Sequence, residues 1–219
     1  MFAWPPRRAD LPTVPGGYRK FINGKGMRRD MSFFDNTRNF GMLAMIVAAV
    51  NVVGSALFFF NDDIEEVWRI VAGIGGILSA MLMLAAGFAI FSGRIPGFLI
   101  KLFPDGATSK FGVLTGYTAA IGVASIIGLG FTVADIVIGI IVGILLLFVV
   151  WILTNDRKGV VEKILWVILM VFYFLGILGG VIIAITGGMN LVSGICISLM
   201  YLLAFVYLFD PSVKRKFGM

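Results

Sequence analysis

Six long apolar runs succeed one another along the chain, at 39–60, 67–91, 111–130, 133–154, 160–186 and 191–209. A helix rises about 1.5 Å per residue and the hydrocarbon core of a bilayer is about 30 Å thick, so about 20 mostly apolar residues suffice to cross it. Each run meets that length. Membrane-spanning strands would instead alternate apolar and polar residues over segments of about 10. The expected fold is therefore all-α, a polytopic transmembrane helical bundle of about six spans.

Polar residues at the run boundaries fit helix starts and stops. Asp63 with Glu66, Thr132 with Asp135, and Ser32 with Asp35 have the spacing of a capping box. Gly187 and Gly188 suit the close of the fifth helix, where a left-handed residue ends the turn. These caps account for several acids without any ligand.

Between the second and third runs lies a shorter apolar stretch, 93–103. It is too short to span. Ile95, Phe98, Leu99, Leu102 and Phe103 would share one face of an α-helix, which predicts a short interfacial helix on the cytoplasmic side or an apolar loop packed under the bundle. Residues 1–31 contain Pro5, Pro6, Pro12, Pro15, Gly16 and Gly17 and read as a basic, largely irregular arm. Trp4, Tyr18 and Phe21 could lie at headgroup level. The expected organisation is a cytoplasmic arm at 1–31, a six-span domain at 32–209 and a basic cytoplasmic tail at 210–219.

Composition agrees with lipid as the solvent. Of 219 residues, 59% are hydrophobic and 14% charged, and the mean hydropathy is +1.01. A soluble domain is about 25% charged. The net charge of +6 would otherwise raise nucleic-acid binding, but its distribution answers that. Arg7, Arg8, Arg19, Lys20, Lys25, Arg28, Arg29 and Arg38 precede the first run. Arg94, Lys101 and Lys110 follow the second, Arg157, Lys158 and Lys163 follow the fourth, and Lys214, Arg215 and Lys216 follow the sixth. In an alternating chain all of these fall on one side. The other side receives Arg69 with Asp62, Asp63, Glu65, Glu66 and Asp135. Cytoplasmic loops carry the Lys/Arg excess, so both termini are expected in the cytoplasm of a multi-pass cell-membrane protein. The first run begins too far from Met1 for a cleavable signal peptide and is expected to remain as an anchor.

The even-numbered runs share a local pattern. Ala72 and Gly76, Gly139 and Gly143, and Gly194 and Ser198 are small residues four apart, each pair followed by two apolar residues. Gly176 and Gly180 add a pair in the fifth run. The pattern suggests three repeated helical hairpins with these residues at helix-packing faces. Lipid tails are as apolar as leucine, so spans associate through close backbone approach.

Catalytic chemistry is not visible. Histidine is absent, which removes the commonest general base and metal ligand. Cys196 is the sole cysteine, so no intrachain disulfide can form. No run carries an ionisable residue at mid-depth, and no P-loop or zinc-protease motif occurs. Neutral polar groups remain: Asn51 and Ser55 in the first run, Thr115, Tyr117, Thr118 and Ser125 in the third, Asn190 and Ser193 at the start of the sixth. Asn51, Ser55, Thr115 and Thr118 are the candidate polar cavity; the plainer role for Asn51 is an interhelical hydrogen bond.

The first functional expectation is a non-enzymatic structural, accessory or lipid-interacting bundle with no cofactor and no metal. The alternative is a passive transporter or channel-like protein for a small neutral solute. Expected partners are membrane lipids, with anionic headgroups near the basic segments, and a homo-oligomer or another membrane protein; nucleic acid is not among them.

Overall fold

The computed structural model describes residues 35–219, apart from 63, 104, 129, 131, 156–159 and 186–189. The expected arm at 1–31 and the residues Ser32, Asp63, Gly187 and Gly188 lie outside the described residues. Among the described residues every regular element is helical: α1 (Thr37–Leu57), α2 (Glu66–Ser92), α3 (Lys110–Ile127), α4 (Val133–Thr154), α5 (Val160–Ile185), α6 (Asn190–Leu208) and a short α7 (Pro211–Lys216). Two 3₁₀ segments, Phe58–Phe60 and Gly97–Leu102, extend α1 and follow α2. Six of the helices are long and apolar enough to cross a membrane, as the apolar runs predict.

Local chemistry sets several ends. Thr132 caps α4: its hydroxyl accepts from the Asp135 backbone N–H at 3.2 Å and donates to the Asp135 carboxylate at 2.8 Å. α1 itself is capped by Asn36, its side-chain oxygen accepting from the Arg38 backbone at 2.9 Å. Glu65 precedes α2 without a side-chain cap bond, and Arg69 instead ties this end to Asp62 at 2.7 Å. Gly93 closes α2 with φ +67°, a left-handed turn that a β-carbon would strain.

Consecutive helices pack as three antiparallel hairpins: α1 on α2, α3 on α4 and α5 on α6. Small residues make each seam. A β-carbon at Gly76 would come 2.7 Å from Ser55 Oγ, and one at Gly139 would come 2.6 Å from the Ser125 carbonyl. Gly143 lies against Gly122 and Ile126. Gly180 would meet the Ser198 backbone nitrogen at 2.6 Å, Gly194 faces Gly180 and Ala184, and Gly176 lies under the Tyr201 ring. Ala72 is buried beside Gly73, which packs on Phe59. α2 joins the first hairpin to α3, and α1 joins it to α6. α4 and α5 therefore flank the bundle, each resting chiefly on one neighbour.

Burial follows this layout. α3 is the most enclosed span and the least apolar, with every residue of 111–122 buried. α4 and α5 are the most apolar and the least enclosed. A helix surrounded by protein can carry hydroxyls that find partners, whereas a helix facing lipid cannot.

The basic end is closed by folded chain. The 210–219 tail is no loose extension: α7 tucks Val213 and Phe217 fully inside, and Phe217 meets the Phe111 ring at 5.8 Å. Asp210 caps α7 by accepting from the Ser212 backbone at 2.8 Å. Within the 93–103 stretch only Gly97–Leu102 is helical, and it is 3₁₀ and not α. Leu99 and the following Phe103 are buried, while Phe98, 72% exposed, lies off the expected face. Gly116 leaves the space that the Phe103 ring fills.

Candidate functional site

The bundle centre is hollow in one half and filled by side chains in the other. A cavity of 470 Å³ lies among α1, α2, α3 and α6, with Asp135 and Gly130 at its rim and Met83, Ile121 and Met200 at mid-depth. Asp135 is exposed, so the cavity meets the surface at the acidic end.

Its polar groups come from four helices. Asn51 and Ser55 project from α1, Ser79 from α2, Ser125 from α3, and Ser193 and Tyr201 from α6. Small residues make the room: Ala72, Gly76, Ala124 and Gly128 bring no bulk to the wall. Ser193 Oγ donates to Asn51 Oδ1 at 3.4 Å, joining α1 to α6. Ser79 Oγ donates to the Ala124 carbonyl at 2.8 Å, and Ser125 Oγ to the Ile121 carbonyl at 2.9 Å. Ser79, Ser125 and Ser193 thus spend their protons on protein acceptors. Asn51 accepts through its oxygen, which directs the amide N–H groups away from Ser193 as the donors left for a guest.

The four residues grouped in the candidate polar cavity are divided. Asn51 and Ser55 line it; Thr115 and Thr118 do not. Thr115 Oγ1 donates back to the Phe111 carbonyl at 3.0 Å within α3. Thr118 Oγ1 donates to the Leu114 carbonyl at 2.6 Å and is also hydrogen-bonded to the Tyr173 hydroxyl. Both are buried nearer the basic end. The reason is register: α3 begins at the basic end, so its first turns lie opposite the closed half and Ser125 lies level with Asn51. Ser79 and Tyr201 escape the sequence reading. Their signal is their spacing, three residues after Gly76 and Ser198 on the same packing faces.

Below the cavity the centre is aromatic. The Phe40 ring lies between Tyr117, centroids 5.0 Å apart, and Tyr207, 4.4 Å apart, and all three are fully buried. Beneath this plug, Lys110 at the start of α3 donates to Asp35 at 2.9 Å and to Asp210 at 2.5 Å. Burial alone would push the Asp210 carboxyl up, but hydrogen bonds from Lys110 and Ser212 hold it below the usual carboxylate range. The arrangement is a one-ended chamber with neutral polar groups at mid-depth, closed at the basic end by rings and an ionic tie.

No family matches this chain, and no curated protein or solved structure is similar to it.

Proposed function

We propose that the protein is a non-enzymatic, multi-pass protein of the cell membrane that passively carries a small neutral solute through the chamber at Asn51. The chamber itself carries the reading: 470 Å³ is within the range of small-molecule sites, and its wall is mostly apolar with a few placed polar groups. No charged side chain lines it except Asp135 at the rim, which favours an uncharged guest. One open end and one closed end suit a carrier caught on one side better than a continuous pore.

The basic end is assigned to the cytoplasm. Arg38, Arg94, Lys101, Lys110, Lys163 and the α7 cations belong to helix ends on that side, against Arg69 on the other, and the Lys/Arg excess faces inward. The solute then enters from outside.

Uptake of labelled glycerol and glucose into proteoliposomes tests this. Wild-type protein should raise the uptake of at least one above protein-free vesicles, and Asn51→Leu should reduce it several-fold while remaining monodisperse. Uptake equal to that of empty vesicles for both solutes would reject the carrier.

A second reading is an accessory or lipid-interacting bundle. It is favoured by the broad apolar faces of α4 and α5, where Ile141, Leu145, Phe174 and Ile182 are exposed. A second copy or another membrane protein would cover them. A defined stoichiometric complex on purification in mild detergent supports it; a monodisperse monomer opposes it.

A further inference from the structure

A second pocket, of 560 Å³, lies at the basic end where α4 stops, α5 starts and α7 folds back. Three cations line it from two elements: Lys163 on α5, and Arg215 and Lys216 on α7. Among the described residues none of the three takes part in an ion pair. The Lys163 stem lies close to Gly218, Arg215 Nε donates to the Pro211 carbonyl at 3.3 Å, and Lys216 Nζ stands 5.9 Å over the Phe111 ring. These contacts hold the side chains without neutralising them. Two carboxylates, Asp105 and Glu162, line the same pocket, so three cations face two anions.

Phe111, Leu153 and Val160 add an apolar part to the lining, beside Thr154 and Gly218. Val160, 73% exposed, leads directly onto the lipid-facing side of α5, and Trp151 stands exposed one turn inside the end of α4. Such a pocket lies at headgroup depth and continues into the apolar flank of the bundle. A free phosphate would satisfy the cations and leave the apolar part wet. An acyl chain alone would leave the cations unanswered.

We infer that this pocket binds an anionic phospholipid, its phosphodiester held by Lys163, Arg215 and Lys216 and its acyl chains lying along the outer faces of α4 and α5. Among the described lining residues the cations outnumber the carboxylates by one, and a phosphodiester carries one negative charge. Phosphatidylcholine brings its own ammonium into the same place and is disfavoured.

The full chain in mild detergent, examined by native mass spectrometry, tests this with phosphatidylglycerol, phosphatidylcholine and glycerol 3-phosphate as probes. Phosphatidylglycerol should be retained over phosphatidylcholine, and an equal concentration of glycerol 3-phosphate should not displace it. Each juxtamembrane cation near an anionic headgroup changes affinity about five-fold, so K163Q/R215Q/K216Q should weaken retention about a hundred-fold. Arg94→Gln with Lys101→Gln, at the same end but outside the pocket, should leave it unchanged. Equal retention of phosphatidylcholine, displacement by glycerol 3-phosphate, an indifferent triple variant, or an equal loss in the Arg94/Lys101 control would each overturn the assignment. If the triple variant does not fold, K163Q and R215Q are measured singly. A loss of about five-fold in each supports the site, and no loss in either overturns it.

Discussion

Lys110 Nζ and Asp210 Oδ2 are 2.5 Å apart although 100 residues separate them in the chain, and both side chains are 18% exposed. Asp35, at 2.9 Å from the same nitrogen, makes Lys110 the cation shared by the starts of α1 and α3 and the cap of α7. Removing it leaves two carboxylates facing each other. Lys110→Met should cost about 1–3 kcal/mol, between the worth of an exposed pair and that of a broken buried one. Thermal unfolding in detergent measures it. Adding Asp210→Asn to Lys110→Met should restore part of the loss, and a cycle with no coupling would refute the tie.

Asp210 also sets an acid response. Its carboxyl is held below the ordinary value of 3.8 in the folded protein. The native state then binds fewer protons than the unfolded state, so this stabilisation is full above the unfolded value and is lost as pH falls through the lower folded value. The unfolding temperature should drop on acidification below about pH 4, and Asp210→Asn should flatten that part of the profile. Parallel acid profiles for the two proteins would contradict it.

Gly179 and Gly180 are neighbours in α5 with opposite surroundings. A β-carbon at Gly180 would meet the Ser198 backbone nitrogen at 2.6 Å and the Gly194 carbonyl at 2.8 Å, whereas nothing lies within 4 Å of one at Gly179. Backbone cannot turn aside as a flexible side chain can. Gly180→Ala should destabilise by about 1–3 kcal/mol, the cost of overpacking. Gly179→Ala should be neutral or stabilise slightly through better helix propensity. Thermal midpoints of the two variants in one detergent give the comparison.

Tyr117 and Tyr173 are both fully buried, yet the same substitution should act oppositely on them. The Tyr173 hydroxyl is hydrogen-bonded to Thr118, while the Tyr117 hydroxyl has no partner among the described residues. Tyr173→Phe forfeits an interhelical bond and should cost about 0.6–2 kcal/mol. Tyr117→Phe removes an unsatisfied buried group and should be neutral or stabilising, since such a group costs about 1–3 kcal/mol. Equal losses in the two variants would show that Tyr117 has a partner after all.

Which parts of this architecture are legible in the chain follows from how far each signal reaches. Helix existence and number depend on runs of apolar residues one membrane-thickness long, so α1 to α6 can be read from the chain to within a few residues at each end. Small residues four apart mark helix faces, and Gly139, Gly143, Gly180 and Gly194 lie in hairpin seams because only they let backbones approach. Register between distant helices has no such local mark. It separates Thr115 and Thr118 from Asn51, brings Ser193 and Tyr201 to the same chamber, and sets Lys110 on Asp210. Sequence by itself determined an all-α chain with six apolar spans and a marked charge asymmetry between its two sets of connections. Tertiary structure alone decided that one half of the bundle is hollow and the other plugged by Phe40, Tyr117 and Tyr207, because a cavity is the space left by side chains from helices far apart in the sequence.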